Sequence, residues 1–359
     1  MLNVRLLPVA AAVALCACAD PPPTAQPSGE AVTAPASRPP RTGNRTKSRR
    51  RAAKYLDKRV KRWLDAPPPV ANVQCAMSCH TTFPAVLAQP YLPPASTPNI
   101  DRARERFEAR LPSRAGPVVP FYGEGNDDKV RESHATEAVL TATALAQHDA
   151  ATNGRIGPSA QEALDRMWAQ QGDDGGWPWL DFGLEPWEHD DAFGVAMAAL
   201  AAASAPAGPG QDAGLAKLRA HVEAHFDSAS LHDRVALLWA AGSMPELLTE
   251  PQRDLVTRAL DAAQHSDGSF ALADLLPGVT ATPPSGDGYA TALATLALCT
   301  SNRNTSQVDA GLAWLEGNQN ADGSWPGRSA NGAGRRAERF MTDAATAYAV
   351  IALETCPSP

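Results

Sequence analysis

The sequence predicts an all-α protein built from stacked helical hairpins, and three observations predict it. Alanine dominates an ordinary apolar fraction of 44%, which favours helix because alanine loses no side-chain entropy on folding. The alternating runs of Val, Ile, Tyr and Phe that mark strands are sparse. From Glu132 onward, apolar residues recur three or four apart, as in Leu215, Leu218 and Val222, through alanine-rich runs separated by turns. At 359 residues the chain can bury a full core and holds one large domain plus extensions.

The amino terminus begins with a weakly positive stretch, Met1 to Arg5. An apolar run follows, Leu6 to Leu15, too short to anchor the chain in a bilayer. It ends in Leu15-Cys16-Ala17-Cys18, which resembles a bacterial lipoprotein box with Cys18 as the lipidated residue, and Ala17-Cys18-Ala19 also fits a small-residue cleavage rule. Either route makes residues 1–19 a signal peptide and sends the protein to the periplasm or cell envelope, with a Cys18 lipid as a membrane tether. The alternative is an apolar tail that is never cleaved. No later segment carries about 18 continuous apolar residues, so no transmembrane helix is expected in the mature protein.

Residues 20–44, rich in Pro, Ala, Ser and Thr, read as a disordered linker. Thr46 to Asp65 reads as an amphipathic helix with Leu56, Val60, Trp63 and Leu64 at helical spacing, stopped by Pro67, Pro68 and Pro69. Eleven Lys or Arg against one acid between residues 41 and 62 give this arm a charge of about +10, while the chain from residue 63 carries about −17. Such an arm reads as a solvated face or as packing on its own acidic body, with anionic lipid or nucleic acid as the alternative contact. Away from the arm nothing basic suggests nucleic-acid binding, and no Gly-rich phosphate loop or Gly-x-Ser-x-Gly elbow occurs.

Cys75-Ala76-Met77-Ser78-Cys79-His80 is the stretch least explained by packing. Two thiols followed by a histidine resemble the c-type haem attachment signature, with three residues between the cysteines where the common form has two. Two sulfurs from one short turn match the fixed vinyl positions of a rigid macrocycle, and the next imidazole falls over the metal. The resemblance implies one covalent haem c on Cys75 and Cys79 with His80 on the iron, within a basic-helix and haem c-like segment spanning 45–125. A local disulfide or a partial metal site are the other readings. Met77, between the thiols, is a poor axial ligand. His134 and His148, 14 residues apart and so on one helix face, are candidate sixth ligands. Thr81 to Pro94 is apolar and proline-punctuated. Its Phe83, Val86, Leu87 and Tyr91 would wall one side of a haem or dock on the next domain. Residues 95–125 are mostly irregular around a charged helical piece, Ile100 to Leu111.

Helices are predicted near 133–149, 159–171, 188–204, 211–226, 231–243, 250–265, 287–300, 306–318 and 341–355. A repeat overlies them. Gln170-Gln171-Gly172-Asp173-Asp174-Gly175-Gly176-Trp177, Gln264-His265-Ser266-Asp267-Gly268-Ser269-Phe270 and Gln319-Asn320-Ala321-Asp322-Gly323-Ser324-Trp325 each close a helix, with a degenerate copy near 217–233. In each, glutamine meets exposed backbone groups at the helix end, Asp-Gly makes the turn, and the aromatic folds back as a seal. These residues are structural staples.

Gly311-Leu312-Ala313-Trp314-Leu315 followed by Gln319 and Asp322-Gly323-Ser324-Trp325 resembles the QW repeat of squalene-hopene cyclases, oxidosqualene cyclases and protein prenyltransferase β subunits. The resemblance covers roughly residues 130–355, within a repeat domain spanning 126–359, and implies an α/α toroid, incomplete or of five hairpins, around a cavity that holds an apolar small molecule. In the cyclases the central aspartate of an Asp-x-Asp-Asp motif protonates an alkene. The nearest match is Glu188-His189-Asp190-Asp191, which would make Asp190 the general acid. Acids before an alanine-rich helix also serve as caps and dipole partners. An aromatic content of 6%, with tryptophans spent in turns, argues against a polycyclising cavity. The prenyltransferase zinc set is missing: no Asp-x-Cys occurs in the repeats, and Cys299 has no acid or histidine beside it. His221 and His225, at i and i+4, are a metal pair without a third ligand. Cys299 and Cys356 are a disulfide or, as the plainer expectation, two buried thiols.

The sequence therefore reads as an exported c-type haem protein whose toroid supports a redox or electron-transfer role with an apolar ligand and an unidentified redox partner. The alternatives are a terpenoid cyclase-like enzyme with Asp190 as acid, and a binding scaffold without haem.

Overall fold

The computed structural model describes residues 42–66, 77–115, 122, 125–205, 209–276, 286–331 and 335–356. The signal peptide, the linker to residue 41, Cys16, Cys18 and Cys75 lie outside the described residues. Among those described there is no strand, only an isolated antiparallel bridge between Leu184 and Glu188.

In chain order the helices are α1 (Thr42–Asp65), α2 (Thr82–Ala88), α3 (Pro98–Ala109), α4 (Pro112–Ala115), α5 (Asp127–Asn153), α6 (Pro158–Ala169), α7 (Ala192–Ala203), α8 (Pro209–His225), α9 (Leu231–Ser243), α10 (Glu250–Ala263), α11 (Leu272–Leu275), α12 (Gly288–Thr300), α13 (Thr305–Gly317) and α14 (Arg335–Thr355). Six of them, α2, α5, α7, α9, α12 and α14, each pack on the next, and α14 packs back on α2. They form a closed inner ring. Helices α1, α3, α6, α8, α10 and α13 lie outside it.

The sequence separates the two layers by burial pattern. An inner helix has neighbours on all sides, so it is apolar all round. Residues Phe193 to Ala202 of α7 and Gly288 to Leu298 of α12 are all buried. An outer helix buries one stripe: in α10 it is Arg253, Val256, Thr257 and Leu260. Alanine, at most inner positions, lets these helices approach closely.

The repeated glutamines do more than close their own helices. Gln171 Nε2 donates to Gly175 O in its own turn at 2.9 Å and to Gly214 O of α8 at 3.0 Å. Gln264 Nε2 does the same to Gly268 O and to Gln307 O of α13, at 3.1 and 3.0 Å. Gln319 Nε2 reaches Gly323 O and Ser48 O of α1, both at 2.9 Å. Each amide thus pins its turn to the next outer helix. The turn glycines Gly175, Gly268 and Gly323 take φ of 93°, 89° and 98° and press on Lys217 O, Ala310 O and Arg51 O, so a side chain there would both strain the backbone and clash. The indoles fold back as expected, Trp177 Nε1 to Met167 O at 2.8 Å and Trp325 Nε1 to Leu315 O at 2.7 Å.

Because the third glutamine clasps α1, the basic helix is an outer member of the ring, paired with α2, and the ring closes with six hairpins. The sequence sets 45–125 apart from the helical repeats and counts five hairpins or fewer. In the structure α1, α2 and α3 pack against α14 and α5 without a break. The reason α2 escapes a periodicity reading is its length: seven residues, all buried, show no polar face, and Pro84 looks like a breaker although it lies in the first turn, where proline is tolerated.

Two buried carboxylates fix the first and second hairpins. Asp343 of α14, fully buried, accepts from Arg59 Nε at 2.8 and 3.0 Å, Tyr55 OH at 2.8 Å and Thr81 Oγ1 at 2.8 Å. Glu137 of α5 accepts from Arg110 and, at 2.7 Å, from Arg166 Nη2. The basic arm thus packs on the acidic body, as its charge suggests. Cys299 and Cys356 form a disulfide between the ends of α12 and α14, correcting the expectation of two free thiols.

Candidate active site at the rim of the inner ring

Hydrogen bonds bring the link before α7 and the amino-terminal ends of α9 and α12 together at one rim of the ring. Their positive dipole ends make that rim hospitable to carboxylates. The link between α6 and α7 carries Glu185, Glu188, His189, Asp190 and Asp191; helix α7 begins at Ala192, four residues later than the predicted 188. The start of α9 adds His232 and Asp233, α12 adds Tyr289, and the turn before α2 adds Cys79.

A chain of hydrogen bonds lies beneath the rim. Ser230 Oγ donates to Asp233 Oδ2 at 2.5 Å, and Asp233 Oδ1 lies 2.9 Å from His232 Nδ1. His232 Nε2 meets the Tyr289 hydroxyl at 2.8 Å, which also accepts from Trp187 Nε1 at 2.9 Å. His232 and Asp233 are wholly buried. Burial pushes the Asp233 carboxyl up, but the His232 and Ser230 hydrogen bonds outweigh it and hold Asp233 below its ordinary range, as an anion.

Asp190 behaves in the opposite sense. Partial burial, then the nearby Asp233 charge, raise its carboxyl above the usual range, against the Ala192 N–H that donates to Oδ1 at 3.0 Å. Its side chain is 46% exposed, so solvent reaches it. His189 bridges outward, with Nδ1 3.3 Å from Asp190 Oδ2 and Nε2 2.8 Å from Glu185 Oε2. Donor atoms of His189, Asp190 and Asp233 come within 4.8 Å of one another. Each Asp233 oxygen already accepts one hydrogen bond, from Ser230 and from His232.

Aromatic rings line the space below. Trp187, Phe193, His232, Tyr289, Tyr348 and Trp239 form a continuous chain of contacts with centroids 5.1 to 6.4 Å apart. They come from four inner helices and the rim, and all are buried. Five aromatic side chains thus meet at the centre of the ring, while Trp177 and Trp325 close turns as the sequence suggests. The Tyr348 hydroxyl is buried there without a hydrogen-bond partner.

Glu188 is mostly buried rather than capping a helix. Burial raises its carboxyl, partly offset by a hydrogen bond with the Cys79 thiol. That bond joins the two stretches singled out in the sequence. Cys79 is buried, 7% exposed. His80 stacks on Phe340 at 3.9 Å and 21°, with Trp63 edge-on at 5.1 Å, and its Nδ1 lies 2.8 Å from Thr81 Oγ1. Met77 is buried. His134 and His148 have other charged neighbours, Arg166 and Glu137 for the first, Arg104 and Asp149 for the second, and burial lowers both. His221 and His225 stack at 4.2 Å, and His221 Nε2 lies 3.2 Å from Asp191 Oδ2.

His232, Asp233, Tyr289 and Tyr348 are absent from the sequence reading. A signal existed for the first three: polar residues at the very start of otherwise apolar inner helices.

No family model and no curated protein sequence matches the chain. Among solved structures, it is similar to the type II terpene cyclase MstE from Scytonema in its apo form, with 14% identity, 87% of this chain and 99% of that chain covered, and a TM-score of 0.50. A variant of MstE in complex with geranylgeranyl dihydroxybenzoate as substrate matches at 13% identity over 86% and 97%, also at 0.50. A variant in complex with its product merosterolic acid A matches at 12% over 87% and 98%, at 0.50. At these identities the likeness is one of fold, and together with the closed double ring of helices it makes this chain an all-α, terpenoid cyclase-like α/α toroid.

Proposed function

We propose that the protein is a terpenoid cyclase-like enzyme in which Asp190 donates a proton to a carbon–carbon double bond of an isoprenoid chain. The observation that carries this is the opposed titration of two neighbours: Asp233 held as an anion, and Asp190 pushed up beside it. Environments that drive two carboxyls apart assign one of them as the acid. MstE, which shares the fold, takes a substrate bearing a geranylgeranyl group, and this supports an isoprenoid as the substrate class.

In the proposed step the Asp190 proton leaves its carboxyl oxygen as the alkene π pair forms the new C–H bond. A tertiary carbocation and an Asp190 carboxylate result. The carboxylate is stabilised by the Ala192 N–H and the amino-terminal end of α7. The cation faces the Trp187 and Tyr289 rings, whose π faces attract positive charge. Loss of a proton from an adjacent carbon to solvent water at the exposed rim restores an alkene. His189, between Asp190 and Glu185, is placed to return a proton to Asp190 from solvent. Since aromatic side chains fill the centre of the ring, the reacting end of the substrate rests at the rim. The Cys299–Cys356 disulfide supports an oxidising compartment, in keeping with export through residues 1–19.

The test is turnover of geranylgeraniol and of its terminal epoxide, followed by product analysis. Wild type is expected to give cyclised or isomerised products, and Asp190→Asn to lose at least a hundredfold of that rate, the scale of a positioned general acid. Equal rates for the two proteins overturn the reading.

A further inference from the structure

We propose that the outward face of α1 docks on the surface of an anionic phospholipid bilayer. The inference is independent of the Asp190 reading.

The cations of α1 divide by direction. Arg45, Arg49 and Arg59 turn to the body and pair with Glu316, Glu354 and Asp343. They flank the apolar face of Leu56, Val60, Trp63 and Leu64, all buried. Lys47, Arg50, Lys54, Lys58 and Lys61 recur three or four apart on the opposite face, with Arg62 beside them, and all six are exposed. At about 1.5 Å per residue the row from Lys47 to Lys61 is about 21 Å long. Among the described residues, Lys61 alone of the six meets a carboxylate, that of the exposed Asp65. The middle of the row borders a groove whose lining also includes Arg328 and Arg339, with Asp322 and Glu338 as its acids. A chain of net charge −7 thus gathers outward-facing positive charge on one helix face.

Charge complementarity calls for a polyanion, and three features favour a bilayer. The row lies along one face of a single helix, which fits a plane. Among the described residues the large exposed hydrophobic is Leu255, so no exposed aromatic stands in the row for nucleobases to stack on. Finally, the chain enters α1 at Thr42, 24 residues after Cys18, where the sequence resembles a lipoprotein box. That many residues span at most about 85 Å, so a lipid on Cys18 keeps the row within reach of the same bilayer. A tether sets only a distance. The basic row sets which face of the ring meets the lipid, and a lipid chain with a basic patch is a recurrent two-part anchor.

Co-sedimentation of the full chain with vesicles tests this, using phosphatidylcholine alone or in equal parts with phosphatidylglycerol. The readout is the ratio of the two affinities, so that any insertion of the apolar amino terminus, equal in both, cancels. Wild type is expected to prefer the anionic vesicles, with a preference that shrinks as salt is added. Lys54→Gln with Lys58→Gln and Arg62→Gln is expected to cut the ratio towards one, by up to about a hundredfold, at about fivefold for each cation near an anionic surface. Arg155→Gln with Lys217→Gln and Arg258→Gln removes three exposed cations elsewhere and is expected to leave the ratio unchanged. Helical circular dichroism should match wild type throughout. Should the first triple variant lose it, Lys58→Gln alone decides, with an expected loss of about fivefold. A wild-type ratio near one, or equal losses in the two triple variants, overturns the docking face. Displacement from the vesicles by a short DNA duplex, or by glycerol 1-phosphate, at equal phosphate concentration overturns the bilayer as its occupant.

Discussion

Gln319 Nε2 donates to Ser48 O at 2.9 Å across 271 residues, the same bond that Gln171 and Gln264 make to helices only 43 residues away. The equivalence of local and wrap-around staples is what closes the ring. Gln319→Ala should therefore cost as much as Gln171→Ala or Gln264→Ala, about 1–3 kcal/mol each from buried acceptors left unpaired. Chemical denaturation of the three variants checks it. A Gln319→Ala variant as stable as wild type would mean that α1 is not part of the cooperative unit.

The charge beneath that closure gives a larger effect. Asp343→Ala removes the partner of Arg59, which is itself buried. An uncompensated buried guanidinium costs about 3–5 kcal/mol. We expect a corresponding fall in the denaturation midpoint, whereas Lys61→Ala, which breaks an exposed pair with Asp65, should change stability by less than about 0.5 kcal/mol.

Asp287 predicts a pH dependence. It caps α12 by accepting from Ala290 N at 2.9 Å and also accepts from Leu272 N at 2.7 Å, yet complete burial raises its carboxyl to about 6. In the unfolded chain it ionises near 3.8. The folded state thus binds the extra proton, and its contribution is present at low pH and lost as pH rises from about 4 through 6. The limit is about 3 kcal/mol. Urea midpoints of wild type and Asp287→Asn should match at the low-pH end and diverge as pH rises across that window, with wild type falling, because the asparagine mimics the protonated form throughout.

The disulfide gives a third stability test. It closes a span of 57 residues, for which the chain-entropy relation gives about 4 kcal/mol. Cys299→Ser with Cys356→Ser should lower the denaturation midpoint accordingly, and reductant should shift wild type but not the double variant.

Helix positions in the repeats were legible because inner and outer helices alternate with punctuated turns: α9 and α12 lie within a residue of their predicted limits. Helix α2 was not legible, since seven buried residues carry no periodicity. Asp190 and Cys79 could each be picked out by motif, but not their convergence through Glu188 on one rim. That depends on which helix ends share a face, a property of the closed ring. The buried Asp233–His232–Tyr289 chain was hidden for the same reason: its members are 57 residues apart or adjacent, and nothing local distinguishes them from caps.

Proton donation by Asp190 is tested most directly by turnover in D2O. A geranylgeranyl substrate treated with wild-type protein should gain one deuterium at the terminal alkene carbon, with a rate that falls as pH rises through the raised Asp190 titration, and Asp190→Asn should incorporate none. Deuterium entering equally with Asp190→Asn, or no label with wild type at any pH, would contradict it.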